Sequence, residues 1–306
     1  MGDIKLFRIK KTNVEELQGT AVALEKSLQT LLEQNLEACL GVTLLASEFS
    51  TGRQHGGRID TLGIDEDGCP VIIEYKRASN ENVINQGLFY LDWLLDHQAD
   101  FKLLVMDKVN KKAAEAIDWT SPRLLCIAGD FTRYDEHAVK QVDRYIELLR
   151  YRRFGDDLLL LELVNVTTPG ASTGTRKPQG TNRPDATSYK HIEQTVDQLE
   201  GPLLDLLGET DAFLLALGDD VQKRELKFYF AYKRIKNFAC LEVHPNKKCL
   251  SCFVKVDPST ITLEKGFTRD VSEIGHYGTG DLEITIRTSA DLKKAVPLIQ
   301  RSYESN

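Results

Sequence analysis

The chain has 306 residues and a mass of 34.5 kDa, which exceeds one ordinary hydrophobic core and predicts two domains. Apolar residues make up 42% and charged residues 28% of the sequence, a globular composition that excludes a disordered or fibrous chain. The net charge of −7 argues against a non-specific nucleic-acid binder, because such proteins are usually basic. Nucleic-acid binding is still compatible with this charge if basic residues form a local patch and some carboxylates bind metal. No apolar run is long enough to span a membrane. The charged N-terminus lacks a signal-peptide pattern, so we expect a cytoplasmic protein without membrane contact.

Residues 1–164 alternate between helical and strand patterns, which predicts an α/β domain with a mixed sheet. In chain order the patterns predict a strand at 4–9, a helix at 21–39 ending at Gly41, strands at 42–49, 56–64 and 70–77, a helix at 81–97, a strand at 101–107, a helix at 111–117, a strand at 122–130, a helix at 135–151 and a strand at 156–164. Asp67-Gly68 is a strong hairpin signal, so we expect strands 56–64 and 70–77 to pair with each other.

Residues 165–188 are rich in Gly, Pro, Thr and Ser and nearly free of apolar side chains, which predicts a flexible linker. The following residues, 189–306, are expected to form a smaller α+β domain. Their patterns predict a helix at 191–217, two or three strands within 227–256, strands at 261–263 and 282–287, and a helix at 290–303.

Two carboxylates and an ammonium are predicted to meet at one end of the sheet. Side chains alternate between the two faces of a strand, so Ile72, Glu74 and Lys76 share one face of strand 70–77. The hairpin brings Asp60 back towards Glu74. Burying such charges costs several kcal/mol unless they are paired or bind a metal, and hard cations such as Mg²⁺ prefer oxygen ligands of this kind.

The sequence Gly57-Arg58-Ile59-Asp60, with Glu74-Tyr75-Lys76 after the hairpin, resembles the PD-(D/E)xK nuclease superfamily, and most closely its RecB-like and NucS-like branches. Ile59 stands where the superfamily's name has a proline. Gln86-x-x-x-Tyr90 resembles the Gln-x-x-x-Tyr motif that follows the lysine in those branches. The resemblance implies a restriction-endonuclease-like fold, a mixed sheet flanked by helices, for residues 1–164.

The resemblance further implies a metal-dependent endonuclease, with DNA favoured as substrate and repair or defence as its setting. Asp60, Glu74 and the main-chain carbonyl of Tyr75 would hold Mg²⁺ or Mn²⁺. Lys76 would orient or help to deprotonate the attacking water, with its pKa lowered by the nearby cation. Gln86 would position substrate or water. Neither the oligomeric state nor the choice between DNA and RNA follows from these motifs, and a homodimer is one possibility.

Four further residues are candidates for the same site. The family's first helix often supplies a glutamate, and Glu25 fits that pattern, whereas Glu33 and Glu37 fit a solvated helix face better. Tyr90 could contact a nucleic-acid backbone from a face shared with Gln86, although an ordinary solvated helix face would explain both residues nearly as well. His55 could contact phosphate from a loop, or be a plain loop histidine. Arg58 precedes Asp60 by two residues and is the fourth candidate.

Other interpretations of the same residues remain open at this point. The charges could form a structural salt bridge in which Lys76 pairs with Glu74. The domain could also be a non-cleaving protein that binds nucleic acid with a nuclease fold. In the second domain, Cys249 and Cys252, with Cys240 and His244 nearby, could bind zinc, but their strand pattern favours buried thiols.

Residues 190–304 resemble an uncharacterised domain family often labelled "predicted transport protein". The resemblance rests on KFYFAYKRIKNFACLEVHP, RDVSEIGHYGTGDLEI and the closing LIQRSYE. We expect this domain to select the substrate or a partner for the first.

Overall fold

The computed structural model describes residues 4–20, 25–52, 56–76, 83–167 and 192–306. The chain divides into two compact units, residues 1–176 and 177–306. The first is a mixed sheet with flanking helices and the second is a smaller α+β unit, so the fold class predicted from the sequence is confirmed. The predicted linker begins three residues too early, because residues 165–167 continue a strand, and residues 168–188 lie outside the described part of the chain.

The first unit contains nine strands and six helices in its described residues. The strands are β1 (Leu6–Lys10), β2 (Asn13–Leu17), β3 (Gly19–Thr20), β4 (Val42–Ser50), β5 (Arg58–Asp65), β6 (Pro70–Lys76), β7 (Arg123–Ala128), β8 (Tyr145–Phe154) and β9 (Leu158–Thr167). The helices are α1 (Glu25–Gln34), α2 (Leu36–Leu40), α3 (Val83–Asp96), α4 (Gln98–Lys108), α5 (Lys111–Glu115) and α6 (Arg133–Val139).

The main sheet has the order β4–β5–β6–β7–β8, with β3 and β9 also paired to β8. Strands β6, β7 and β8 are parallel, whereas the other pairs are antiparallel. Helix α3 packs on β6 and β7, and α1 contacts β5 and β6. The β5–β6 hairpin predicted at Asp67-Gly68 is present, and the carboxylate of Asp65 accepts hydrogen bonds from the N–H groups of Asp67 and Cys69 within its turn.

A buried ion cluster fixes the turn end of this hairpin to the parallel strands. Arg123, at the start of β7, donates to Asp65 over 2.9 Å and to both oxygens of Glu147 on β8 over 2.7 and 2.8 Å. All three side chains are nearly inaccessible to solvent. The opposite end of β6 carries Glu74 and Lys76, so the Arg123 cluster is separate from the candidate site.

The predicted helix at 21–39 is divided in two. Residues 21–24 lie outside the described part of the chain, and the remainder forms α1 and α2 on either side of Asn35. Gly41 ends α2 as predicted, since its φ of 64° lies in the left-handed region that glycine tolerates best.

Two other predictions for the first unit were wrong. Residues 101–107 were expected as a strand but lie in α4, where Phe101 and Val105 are buried one helical turn apart while Leu103 is exposed. A short apolar run does not distinguish these two structures by periodicity alone. The helix expected at 135–151 ends at Val139, and β8 follows, because strands on both sides pair with it and bury it.

The second unit combines a six-stranded antiparallel sheet with helices, counted over its described residues. The helices are α7 (Ile192–Val196), α8 (Pro202–Leu215) and α9 (Ser289–Glu304), and the strands are β10 (Gln222–Glu225), β11 (Phe230–Lys233), β12 (Asn237–His244), β13 (Cys249–Val254), β14 (Thr268–Asp270) and β15 (Leu282–Ile286). The sheet order is β10–β11–β12–β13–β15–β14. The helix expected at 191–217 is broken before Pro202, and residues 261–263, expected as a strand, form none.

The cysteines of this unit are dispersed over its sheet. Cys252 lies in the apolar core, where burial raises the pKa of its thiol to about 12. Cys240 and Cys249 are also buried, and neither belongs to that core. His244 lies on β12 with its Nε2 atom 3.3 Å from the carboxylate of Glu242.

Candidate active site

Asp60 and Glu74 lie on adjacent strands of the β5–β6 hairpin, just beyond the paired residues Thr61 and Ile73. The N–H of Asp60 donates to Glu74 Oε1 over 3.1 Å, and the N–H of Tyr75 donates to Asp60 Oδ2 over 3.1 Å. Each carboxylate is therefore held by the main chain of the other strand. The hairpin brings together the two acidic residues predicted from the sequence.

The Glu74 carboxylate is in an unusual electrostatic position. Its side chain has no solvent-accessible surface, and its Oε2 atom is buried without a hydrogen-bond partner in the described part of the chain. Burial, followed by repulsion from Asp60, raises the pKa of Glu74 to about 9. Burial also raises the pKa of Asp60. A buried carboxylate oxygen without a partner is costly, and a cation would compensate for it.

Lys76 and Glu25 complete the corner. Lys76 Nζ lies 3.4 Å from Glu25 Oε1, and the side chain of Lys76 is 14% exposed. Burial lowers the pKa of Lys76, but the carboxylates of Glu25 and Asp60 outweigh it and the net shift is upward. The sequence-based expectation of a lowered Lys76 pKa assumed a nearby cation. The protein's own carboxylates raise this pKa instead. Lys76 makes its ion pair with Glu25, which differs from the Lys76–Glu74 salt bridge considered above.

Gln86 and Tyr90 lie on α3, but Tyr90 does not face solvent. Its side chain is 6% exposed, and its hydroxyl accepts hydrogen bonds from the Arg58 N–H over 3.1 Å and from Gln86 Nε2 over 3.3 Å. The expected contact between Tyr90 and a nucleic-acid backbone stays a prediction, and the burial of Tyr90 does not favour it. The structure assigns Tyr90 instead to holding the strand that carries Arg58 and Asp60.

Gly57 shows how closely Tyr90 approaches this strand. A Cβ atom added at Gly57 would lie 2.5 Å from the tyrosine ring, closer than real contacts allow. The N–H and carbonyl of Gly57 are both hydrogen-bonded to Thr51, at the other end of the loop between β4 and β5. His55 belongs to this loop and lies outside the described residues.

The Arg58 side chain points to a surface carboxylate. Its Nε atom lies 2.5 Å from Glu48 Oε2, and Lys26 Nζ lies 2.6 Å from the other oxygen of Glu48. These two cations lower the pKa of Glu48, with the hydrogen bond from Lys26 as the largest cause. The Arg58 side chain is 67% exposed, so it remains accessible beside the Asp60 strand although it pairs with Glu48.

A polar network that the sequence did not indicate links α1 to the hairpin. Gln29, which is 3% exposed, donates through Nε2 to the carbonyl of Asp60 over 2.8 Å and to Glu33 over 2.9 Å. Glu33 also accepts a hydrogen bond from Thr61 over 2.6 Å, so it does not lie on the solvated face predicted for it. Glu37 is exposed, as expected, and accepts from Thr43. The signal in the sequence for this network was the spacing of Gln29 and Glu33, which lie four residues apart and therefore on one face of α1.

The donor set suits a hard divalent cation. Among the residues that the structure describes, no three His, Cys, Asp or Glu side chains are placed together to hold a metal ion. The corner offers two carboxylates, Asp60 and Glu74, and the adjacent main-chain carbonyl of Tyr75. Mg²⁺ commonly binds proteins through one or two carboxylates and keeps several waters. The partnerless Glu74 oxygen fits such an ion, so the residues present are chemically adequate for Mg²⁺ or Mn²⁺.

Comparisons with known proteins give one family model and one relative of similar length. Residues 192–306 match the family model described as "Domain of unknown function (DUF5655)". An uncharacterized protein of Haemophilus influenzae is 29% identical over 308 residues, covering 98% of this chain and 100% of that protein. Within the described residues, no helix is both long enough and apolar enough to cross a membrane.

A chain from the "Structure of EndoMS-dsDNA2 complex" superposes with a TM-score of 0.25 and 15% identity. The superposition covers 48% of this chain and 64% of that chain, which is less than two thirds of its length.

Proposed function

We propose that the first unit is a metal-dependent nuclease that hydrolyses phosphodiester bonds, with DNA as its substrate. The observation that carries the proposal is the buried Glu74 carboxylate, which lies beside Asp60 with one oxygen lacking a partner. A structural salt bridge would pair that oxygen with Lys76, whereas Lys76 pairs with Glu25. Ionising a buried carboxyl in such a place is costly for the fold, and a bound cation would offset that cost.

In this proposal Asp60, Glu74 and the carbonyl of Tyr75 hold Mg²⁺ or Mn²⁺. The ion, when bound, supplies positive charge that acidifies water and neutralises charge developing on the phosphate. Lys76 orients the attacking water, and Glu25 keeps the ammonium in position through their ion pair. Gln86 is half-buried on α3 and keeps the Tyr90 hydroxyl directed at the Arg58 N–H. The exposed Arg58 guanidinium is placed to contact a substrate phosphate.

The proposal is tested by cleavage of supercoiled plasmid and short duplexes with Mg²⁺, Mn²⁺ or EDTA. The parent is expected to cleave only with metal, and Asp60→Asn, Glu74→Gln and Lys76→Met are expected to abolish cleavage. Glu37→Gln is the matched control, because it removes an exposed carboxylate from neighbouring helix α2. Metal-dependent binding of nucleic acid without cleavage by the parent would favour the non-cleaving alternative. Cleavage retained by Glu74→Gln would refute the assignment.

A further inference from the structure

The sheet of the second unit has two faces that are covered differently. Phe238, Leu250 and Ile284 belong to the apolar core that also includes residues of α8 and α9. Because side chains alternate along a strand, Ser251 on β13 and its neighbour Thr285 on β15 lie on the opposite face. The buried apolar residues of the described parts of helices α7, α8 and α9 all belong to the core on the first face.

The loop at 271–281, between β14 and β15, covers one half of this second face. His276 stacks on Phe253 with ring centroids 4.3 Å apart, and the N–H of Thr279 donates to Cys240 Sγ over 3.3 Å. The other half of the face is not filled by this loop. It forms a pocket of about 210 Å³ in the described structure.

The floor of this pocket is buried and polar. Cys249 and Ser251 are 2% and 3% exposed, and Thr285 lies beside Ser251 on the adjacent strand. Such a floor differs from an apolar cavity, which can stay empty. The Ser251 hydroxyl already donates to Glu283, so the half-buried Thr285 hydroxyl is the floor group that favours a hydrogen-bonding occupant.

The rim of the pocket is basic. Lys247, Arg269 and Arg287 line it together with a single carboxylate, Glu283. Glu283 is already neutralised, since it pairs with Arg269 and accepts a hydrogen bond from Ser251 over 2.8 Å. The pocket therefore carries an excess of positive charge.

The excess charge resides on Lys247 and Arg287. Arg287 donates through Nη1 to the carbonyl of Gly266 over 2.8 Å, which directs its guanidinium along the rim. Within the described part of the chain, no carboxylate lies at ion-pair distance from either cation. With Glu283 paired to Arg269, these two cations beside the Thr285 hydroxyl leave the site with an excess of positive charge and a hydrogen-bond donor.

We propose that this pocket binds a phosphate group, as inorganic phosphate or as a phosphate monoester. A phosphate presents three strong acceptor oxygens and nearly two negative charges, so it can meet Lys247, Arg287 and a floor hydroxyl at once. The guanidinium fork suits bidentate contact with phosphate, and the lysine adds a compact charge. The volume accepts the phosphate itself and leaves the rest of a monoester at the mouth. The proposal does not depend on nuclease activity, because every residue involved belongs to the second unit.

Isothermal titration of the full chain with inorganic phosphate and with a nucleoside 5′-monophosphate tests this assignment. We expect saturable binding that weakens as NaCl is raised. Arg287→Gln and Lys247→Gln should each weaken binding about tenfold, the usual effect of losing one charged hydrogen bond. Thr285→Val, which removes only a floor hydroxyl, should weaken it less. Lys293→Gln, an exposed lysine outside the pocket, is the matched control and should bind like the parent.

A short DNA strand with a 5′-phosphate, compared with the same strand ending in a 5′-hydroxyl, distinguishes the source of the group. Tighter binding of the 5′-phosphate strand than of the 5′-hydroxyl strand, with the difference lost in Arg287→Gln, would assign the pocket to strand ends. Equal binding of the two strands, with saturable binding of inorganic phosphate, would assign it to free phosphate. Absence of saturable binding by every phosphate ligand would overturn the proposal. Equal weakening by Lys293→Gln and Arg287→Gln would also overturn it, since it would indicate non-specific attraction. Unchanged melting temperatures of the variants would exclude misfolding as the cause.

Discussion

The main-chain N–H of Asp60 donates a hydrogen bond over 3.1 Å to one oxygen of Glu74, whose other oxygen is buried without a partner in the described chain. This difference between the two Glu74 oxygens favours a metal site over a structural salt bridge. A salt bridge would gain stability from both oxygens, whereas here the carboxyl must either keep its proton or carry an uncompensated buried charge until a cation binds.

The first prediction concerns stability without and with metal. In EDTA, Glu74→Gln should be as stable as the parent or more stable, because the buried carboxyl holds a proton near neutral pH and the neutral amide can replace it. Saturating Mn²⁺ should raise the melting temperature of the parent but not of the variant, because an ion that binds only the folded state stabilises it. The fluorescence of Trp93 and Trp119 reports on the first unit, since they are the chain's 2 tryptophans. A loss of about 3–5 kcal/mol in Glu74→Gln, with or without metal, would instead indicate a structural ion pair.

The second prediction follows from the pKa of Glu74, which burial and Asp60 raise from 4.5 to about 9. Between these pH values the folded protein retains a proton that the unfolded chain releases. The unfolding free energy in EDTA should therefore fall as pH rises through this window. The contribution is fully present below pH 4.5 and lost above about 9. Urea unfolding at a series of pH values should show a shallower fall for Glu74→Gln, while Glu37→Gln keeps the parent's slope.

The hairpin and the two carboxylates were predictable because their signals are local. Asp67-Gly68 sets the turn, and strand alternation then places Asp60 and Glu74 on one face. The environment of Tyr90 was not predictable in the same way. Spacing along α3 indicated a face shared with Gln86, but burial of that face depends on how the helix packs against the sheet. Residues 145–151 were predicted as helix but belong to β8 for a similar reason, since pairing with β7 and β9 overrides the helical pattern.

The third prediction tests how Tyr90 holds the Asp60 strand. Gly57→Ala should destabilise the first unit by about 1–3 kcal/mol, because the added methyl overlaps the Tyr90 ring. The loss should shrink when Tyr90→Ala is introduced as well, since the ring is then absent. Gly275→Ala, in open surroundings in the second unit, is the control for a simple glycine effect. Tryptophan fluorescence during urea unfolding gives the free energies of the first-unit variants, and far-ultraviolet circular dichroism gives that of Gly275→Ala. Additive losses in the double variant would refute the contact.

The last prediction concerns Gln29, the buried amide that joins α1 to the carbonyl of Asp60. Gln29→Met keeps the volume of the side chain but removes the donor shared by Asp60 and Glu33. Glu33 keeps its hydrogen bond from Thr61, so the cost arises mainly at the Asp60 carbonyl, which loses this donor, and should be about 1–3 kcal/mol of unfolding free energy. Gln29→Glu should cost more at neutral pH, because it places a second carboxylate beside Glu33.

Gln34→Met is the matched control, since Gln34 lies on the same helix but is exposed, and it should leave stability unchanged. If Gln29 also fixes the position of Asp60, then Gln29→Met should need more Mn²⁺ than the parent for a half-maximal rise in melting temperature. An equal Mn²⁺ requirement, combined with the expected loss of stability, would restrict Gln29 to a structural role. Equal stability of Gln29→Met and the parent would show that the amide contributes nothing to the α1–hairpin contact.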